Sequence, residues 1–455
     1  MGLPMFELDD DLATRVFDYC RERLSMNPVT LDHGSHGDVD VPGLHGLIRE
    51  EGRNPHEVLD LFIEELAELV ISIDSPRWLA FIPNSPTKAS LLFDMVVSCS
   101  GLNGTSWLES AGAVMAENQV LEFLAQSAGM PTGSGGTFVS GGTIANLSAL
   151  TVGRDVMAHR HPQIEKHRLA FAISEEAHSS VGHALHILGL EPLLIPTTDH
   201  RFTLEGLHDV LRSHPRAPEV VGIVATAGTT NAGIIDDLEG LGGLARERGW
   251  WFHVDGAYGG AGILSPELRP RYAGLRHADS FVVDPHKWLF APLDCAGLIY
   301  REPHLARAVH TQQAGYLDAL HTAEPSVEWN PSDYAIHLSR RARGLALWFS
   351  LSVHGTDAYA TAINRGVELA HKAARKIKER PELELLREPE LTNVLFRRVG
   401  WKVEDYNRWS QQLLASQVAF VTPSTWEGET CARLSFLHPD LEVEVIDVIL
   451  DAMRS

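Results

Sequence analysis

Two residues 32 positions apart, Asp255 and Lys287, carry the most specific chemistry in this chain. Lys287 ends Asp284-Pro285-His286-Lys287, directly after the apolar run Ser280–Val283. Asp255 follows a second apolar run, 250–254, and precedes Gly256 and Ala257. An amine able to form a Schiff base and a carboxylate able to keep a pyridine nitrogen protonated are the pair that pyridoxal 5'-phosphate (PLP) chemistry needs. A lysine in an apolar stretch is costly unless it is paired or functional. Asp255 taken alone could equally shape an ordinary turn.

Three further segments follow strand-like runs. Ser140-Gly141-Gly142-Thr143-Ile144-Ala145-Asn146 comes after Thr137-Phe138-Val139 and leads into a helical pattern. A strand, a glycine turn and a helix N-terminus offer backbone N–H groups and a hydroxyl to an anion. Many such turns contain Gly-Gly, so this one gains meaning only beside Lys287. Glu176-Ala177-His178-Ser179-Ser180 sets His178 where an imidazole would stack on a cofactor ring, although a lone loop histidine is more often simply solvated. The hydroxyls of Thr226-Ala227-Gly228-Thr229-Thr230 either bond the cofactor's phenolate oxygen or Asp255, or merely shape their loop.

The elements that must position these groups are short apolar runs at 169–173, 220–225, 250–254, 281–283 and 296–300. Such runs, bounded by loops, predict strands buried on both faces of a mostly parallel sheet with helices around it, an α/β fold. Ligands of open α/β sheets bind at the carboxyl ends of the strands, where these residues lie. Before the sheet, Leu12, Val16, Cys20 and Leu24 predict one helix behind acidic residues. Asn54-Pro55 with Glu57 predicts the start of a second, with Val58, Phe62, Leu66 and Leu69 on a buried face. These 75 residues cannot form a core alone, so the arm is expected to pack on another subunit. After about residue 350 a smaller α+β lobe is expected: a helix over 357–379, strands at 394–398, 419–422 and 432–436, and a last helix over 441–453. The division is thus 1–75, an arm; 76–350, a large PLP-binding domain; and 351–455, a small C-terminal domain.

Composition narrows the partners. The chain has 455 residues, 44% hydrophobic, and a formal charge of −22, which argues against nucleic acid and anionic membrane as partners. Cys20, Cys99, Cys295 and Cys431 include no CxxC pair and suit a reducing cytoplasm. No signal-peptide pattern opens the chain, and no apolar run approaches membrane-helix length. Twenty-three histidines include no HExxH or similar spacing, so no metal is expected.

With SGGTIAN, EEAHSS, ATAGTT, HVDGAYGG and DPHKWLFAPLDCAG in this order and spacing, the chain resembles the group II PLP-dependent decarboxylases, the family of aromatic-L-amino-acid, tyrosine, glutamate and diaminobutyrate decarboxylases. The likeness spans roughly 50 to 350. It implies PLP fold type I, an aspartate aminotransferase-like architecture, and an active site at a homodimer interface. Carried over by position, it makes Lys287 the Schiff-base lysine, Asp255 the pyridine partner and His178 the stacking histidine. Gly142, Thr143, Asp284 and His286 fall at phosphate-binding positions, Ala257 under the ring, and Thr230 near Asp255.

Departures matter too. The family's long loop carries a tyrosine that protonates the carbanion after carbon dioxide leaves. Here the stretch between Gln312 and Arg340 is shorter, and Tyr316 and Tyr334 are the stand-ins. Asn103 and Thr105 precede Ser106-Trp107 where the family has apolar pocket residues, and Ile82-Pro83-Asn84 replaces its Phe-Pro-Thr turn. Trp107 and Tyr334 complete the expected pocket, which is more polar than one for a plain aromatic side chain. The reaction expected is α-decarboxylation of an amino acid or amino-acid conjugate to an amine. Decarboxylation coupled to oxidative deamination, giving an aldehyde, and β-elimination of a cysteine conjugate are the alternatives. A silent, non-enzymatic homologue is disfavoured by the retention of Lys287, Asp255 and His178.

Overall fold

Seven strands assemble into one sheet because nearly all their side chains are apolar and both faces are covered. The computed structural model describes residues 5–31, 39–321 and 328–454. In chain order the strands are β1 (Gly135–Val139), β2 (Ala170–Ser174), β3 (Leu193–Ile195), β4 (Val220–Thr226), β5 (Trp251–Asp255), β6 (Ser280–Val283) and β7 (Ala296–Tyr300). Their order in the sheet is β1-β7-β6-β5-β4-β2-β3. Pairings from β3 through β6 are parallel, while β7 runs antiparallel between β6 and β1. The five runs expected as strands all lie in this sheet.

Alternation sends neighbouring residues to opposite cores. Phe252 and Val254 join one apolar cluster, and Trp251 joins the other. Each fully buried side chain of this size contributes roughly 1.5–3 kcal/mol, so the strand ends are held firmly. Register then brings the functional loops together: Thr226 pairs with Asp255, and Asp255 with Val282. Three loops therefore leave neighbouring strands at one level.

A second, antiparallel sheet is formed by β8 (Leu383–Leu385), β9 (Asn393–Arg398), β10 (Thr422–Trp426) and β11 (Glu429–Ser435), in the order β10-β11-β9-β8. It shares a core with the helix Thr356–Lys378 through Leu369, Ala373 and Ile377 against Val394 and Phe396. The strand expected at 419–422 instead begins at Thr422. Ala419 and Val421 are buried apolar residues, but the ladder is carried by the polar Thr-Pro-Ser-Thr-Trp that follows. Pro423 is tolerated there because β10 is an edge strand.

The two N-terminal helices form as expected at Asp10–Ser25 and Pro55–Leu61, capped by Asp9 and Asn54. The second runs on as a π turn, Phe62–Leu66. Their buried face does not exist within one chain. No residue of either helix is buried, and Val16, Val58 and Phe62 are exposed. The helices lie on the outside and touch each other through Tyr19 against Phe62, at 6.0 Å between ring centroids. Among the described residues, no helix is long and apolar enough to cross a membrane.

Candidate active site

A cleft of about 180 Å³ opens at the carboxyl ends of the strands. It is lined by Gly141, Gly142 and Thr143 after β1, His178 and Ser180 after β2, Thr226, Gly228 and Thr230 from β4, Asp255, Ala257 and Tyr258 from β5, and Asp284, His286 and Lys287 after β6. All nine residues expected to hold the cofactor meet here: Gly142, Thr143, His178, Thr230, Asp255, Ala257, Asp284, His286 and Lys287.

Asp255 is held in the cleft by two donors. It is 4% exposed. Its Oδ2 accepts from Asn146 Nδ2 at 2.9 Å and its Oδ1 from the Ala257 amide at 3.0 Å. Thr230, expected beside Asp255, lines the cleft but leaves both carboxylate oxygens to these two donors. Its own backbone carbonyl is tied to Asn393 and Arg433 from the C-terminal sheet.

Lys287 Nζ lies 2.8 Å from Asp284 Oδ2. Burial disfavours the ammonium, yet the adjacent Asp284 carboxylate outweighs it and raises the lysine pKa above its usual value. The same Oδ2 accepts from the Gly142 amide at 3.2 Å. Asp284, which the resemblance sets at a phosphate-binding position, thus joins the lysine to the glycine turn. His286 is turned into its own loop, with Nδ1 accepting from the Cys295 amide at 2.9 Å. Burial lowers its pKa, favouring the neutral ring.

The residues present fit PLP. The helix Gly142–Arg160 begins at the cleft, its first amide bonded to Asp284 Oδ2. A Cβ built on Gly142 would stand 3.0 Å from both Ala257 Cβ and Asp284 Oδ2, so a side chain there would crowd the turn that lines the cleft. An amine, a buried carboxylate and an imidazole share the same small space.

The substrate residues expected from sequence fare differently. None of Ile82, Pro83, Asn84, Asn103, Thr105, Trp107 and Tyr334 lines this cleft. Asn84 is 3% exposed and spends its amide on the carbonyls of His286 and Ala291, the latter at 2.8 Å. Asn103 Oδ1 accepts from Thr105 Oγ1 at 2.5 Å, while its Nδ2 bonds Glu109. Ile82 packs on the main core and Pro83 is buried. The Trp107 amide is held by Asn330 Oδ1 at 2.9 Å, at the start of the helix Trp107–Ser127. Tyr334 is 3% exposed and stacks on Trp329 at 4.3 Å. The polar groups at these positions are thus bonded to other parts of the protein and do not line this cleft. The side chain of Tyr316 lies outside the described residues, as do residues 32–38 and 322–327.

Sequence reasoning missed Asn146, His253, Ser180 and Tyr258. Two of these were findable. Asn146 stands four residues after Gly142, one helical turn along the same face, and His253 stands two before Asp255 on a strand, hence on the same side. Tyr258 is buried, which pushes its pKa up to about 12, and its hydroxyl meets Thr392 from the C-terminal part of the chain.

A type I PLP enzyme is the class that this sheet and this constellation define. Residues 49–399 match the pyridoxal-dependent decarboxylase conserved domain. The chain is 32% identical to an aromatic-L-amino-acid decarboxylase of Bacillus atrophaeus, over 77% of this chain and 73% of that one. It is 28% identical to a phenylacetaldehyde synthase of Arabidopsis thaliana, over 88% and 86%. In fold it matches the crystal structure of Catharanthus roseus tryptophan decarboxylase in complex with L-tryptophan, with a TM-score of 0.86 and 22% identity over 99% of each chain. The chain belongs to the pyridoxal-dependent decarboxylase family and is a PLP-dependent carboxy-lyase of amino-acid metabolism.

Proposed function

We propose that this enzyme removes the α-carboxyl group of an amino acid or amino-acid conjugate and releases the amine, as a homodimer in the cytoplasm. The observation that carries the reading is the pairing, in one cleft, of Lys287 with the doubly held carboxylate of Asp255. Bound here, PLP supplies the electron sink for the carbanion left when a bond at the substrate's Cα breaks. The chain's own groups divide the remaining work. Lys287 offers the amine, with Asp284 beside it to take or return its proton. Asp255 would hold a proton on the pyridine nitrogen, His178 and Ala257 would flank the ring, and the Gly142–Thr143 turn would receive the phosphate. Arg433 braces the region by donating to the carbonyls of Phe81 and Thr230.

The dimer is supported by apolar side chains left exposed on two helices, Leu92 and Val96 on Lys88–Cys99 and Leu108 and Met115 on Trp107–Ser127. Asn103, Thr105 and Trp107 adjoin that face, so they would shape a pocket only in the assembled pair.

The oxidative alternative keeps one supporting observation. Tyr334 is withdrawn onto Trp329, and Tyr258 is the one tyrosine among the described residues that lines the cleft. Borohydride reduction of the yellow protein should fix the cofactor to the peptide containing Lys287. Light scattering on the same preparation should give twice 50.1 kDa. A panel of carboxyl-labelled amino acids, run with and without oxygen, then decides the product. Labelled carbon dioxide plus an amine in both conditions supports the proposal, an aldehyde made only in air supports the alternative, and a retained label overturns both.

A further inference from the structure

Behind Asp255 runs a chain of buried hydrogen bonds that takes one consistent set of donors and acceptors. Asp255 can only accept, so the Asn146 nitrogen at 2.9 Å must be the amide Nδ2, and its oxygen faces away. The second Nδ2 hydrogen goes to Ser180 Oγ at 3.0 Å. Asn146 Oδ1 must then accept from His253 Nε2, 2.9 Å away. His253 is fully buried, and burial lowers its pKa to about 4, so the ring is neutral at pH 7 with its one proton on Nε2. Nδ1 is therefore an acceptor, and Ser280 Oγ at 2.8 Å donates to it. Ser280 in turn accepts from the Trp251 indole N–H at 3.1 Å, a group that can only donate. The indole end is compatible with this assignment, because Ser280 Oγ accepts from Trp251 and keeps its own hydrogen for His253 Nδ1.

The chain also branches. Ser180 Oγ lies 2.8 Å from His178 Nδ1, and the Ser180 amide donates to the same nitrogen at 3.2 Å. A backbone N–H only donates, so His178 Nδ1 accepts, and a neutral His178 carries its proton on Nε2. One amide, Asn146, thus grips both Asp255 and, through Ser180, His178. These are the two side chains read above as facing the cofactor's nitrogen and its ring plane.

We infer that Asn146 and His253 are positioning residues for this enzyme, acting as a one-way hydrogen-bond chain from Trp251 that sets the orientation of Asp255 and His178 toward the pyridine ring. Neither side chain needs to touch substrate. His253 acts only through Asn146, by presenting a proton to its oxygen so that both amide hydrogens stay turned toward Asp255 and Ser180. The inference rests on the PLP reading of the cleft, and its direct observables are separable from turnover.

The experiment compares the holoenzyme with His253→Leu, His253→Gln and Asn146→Leu. Two quantities are read: PLP dissociation constants, and the nitrogen-15 signal of labelled cofactor, which reports whether the pyridine nitrogen is protonated. His253→Leu should weaken PLP binding about tenfold, the scale of one lost hydrogen bond in a dry site, and move the pyridine signal toward the unprotonated form. Asn146→Leu should do more of both. His253→Gln, which keeps an N–H for Asn146, should return both quantities toward the parent's values. If His253→Leu fails to fold, Ser280→Ala decides, since it frees His253 to carry its proton on Nδ1 and should shift both readings in the same direction. Unchanged affinity and an unchanged pyridine signal in the variant that folds overturn the inference. Borohydride labelling of Lys287 in the same samples keeps that result distinct from a failure of the PLP reading. Histidine nitrogen signals from cofactor-free protein separately test the Nε2–H form of His253.

Discussion

The floor of the cleft and its expected substrate rim use similar residues to opposite ends. On the floor, Asn146, His253 and Asp255 are polar, buried and bonded in a row, so that Asn146 and Asp255, which line the cleft, are held from behind. At the rim, Asn84, Asn103 and Thr105 are polar too, but their atoms turn inward on neighbouring carbonyls and side chains. A polar residue type thus tells little about a pocket until its partners are known. What separates the two regions is supply. Each floor residue is held from two sides by strands or a helix, whereas Asn103 and Thr105 bond within their own loop and Asn84 ties its segment to the loop after β6.

The contrast can be broken first at Asp255. Asp255→Ala should fold and bind PLP, yet lose about 10²–10³ in turnover, the scale for removing one preorganised electrostatic group. Near-parental turnover in PLP-loaded variant would remove the floor's privilege. Gly142→Val comes next. With atoms already 3.0 Å from a Cβ there, cofactor affinity should fall far more than the melting temperature. Equal PLP affinity would place the phosphate cradle elsewhere.

At the rim the expected order reverses. Asn84→Ala should cost about 1–3 kcal/mol of stability, measured by denaturant melts, because two buried carbonyls lose their donor. The ranking of substrates in the panel should survive it. A changed ranking with parental stability would return Asn84 to the substrate pocket.

The smallest effect concerns His200, which links the His178 loop to the C-terminal sheet. Its Nδ1 lies 2.8 Å from Glu176, its Nε2 lies 3.3 Å from Glu427, and its ring packs on Trp426. Partial burial disfavours the imidazolium, but the two carboxylates outweigh it and raise the pKa. A raised folded-state pKa means that the added stability is whole below about pH 6.5 and fades as pH climbs through the folded value. The melting-temperature advantage of the parent over His200→Phe should therefore shrink from pH 6 to pH 9. A constant gap would show that the charge of His200 contributes nothing.

Much of this was readable in advance where chemistry and burial coincide. Lys287, Asp255 and the glycine turn sit at the ends of strands whose apolar runs announce themselves. β3 and β8 escaped because three residues make too short a run to show a pattern. β10 was displaced because an edge strand can be polar, so its burial signal lay in the approach at Ala419 and Val421 rather than in the ladder. Asn84, Asn103 and Tyr334 stand outside the cleft of one chain for a different reason. Their partners His286, Glu109 and Trp329 are fixed by folded geometry, and residue type does not name a partner.

Sheet order also dictates an order in time. Lys287 lies in the connection between β6 and β7, which are neighbours both along the chain and in the sheet. Gly142, by contrast, meets Asp284 across 142 positions, and β1 joins the sheet at its edge beside β7. Closing long loops costs more chain entropy, and non-local pairings form late. The lysine half of the site should therefore form first as a local hairpin, with the glycine turn arriving afterwards to complete it. Pulse-labelled hydrogen exchange during refolding should find the amides of β6 and β7 protected before those of β1.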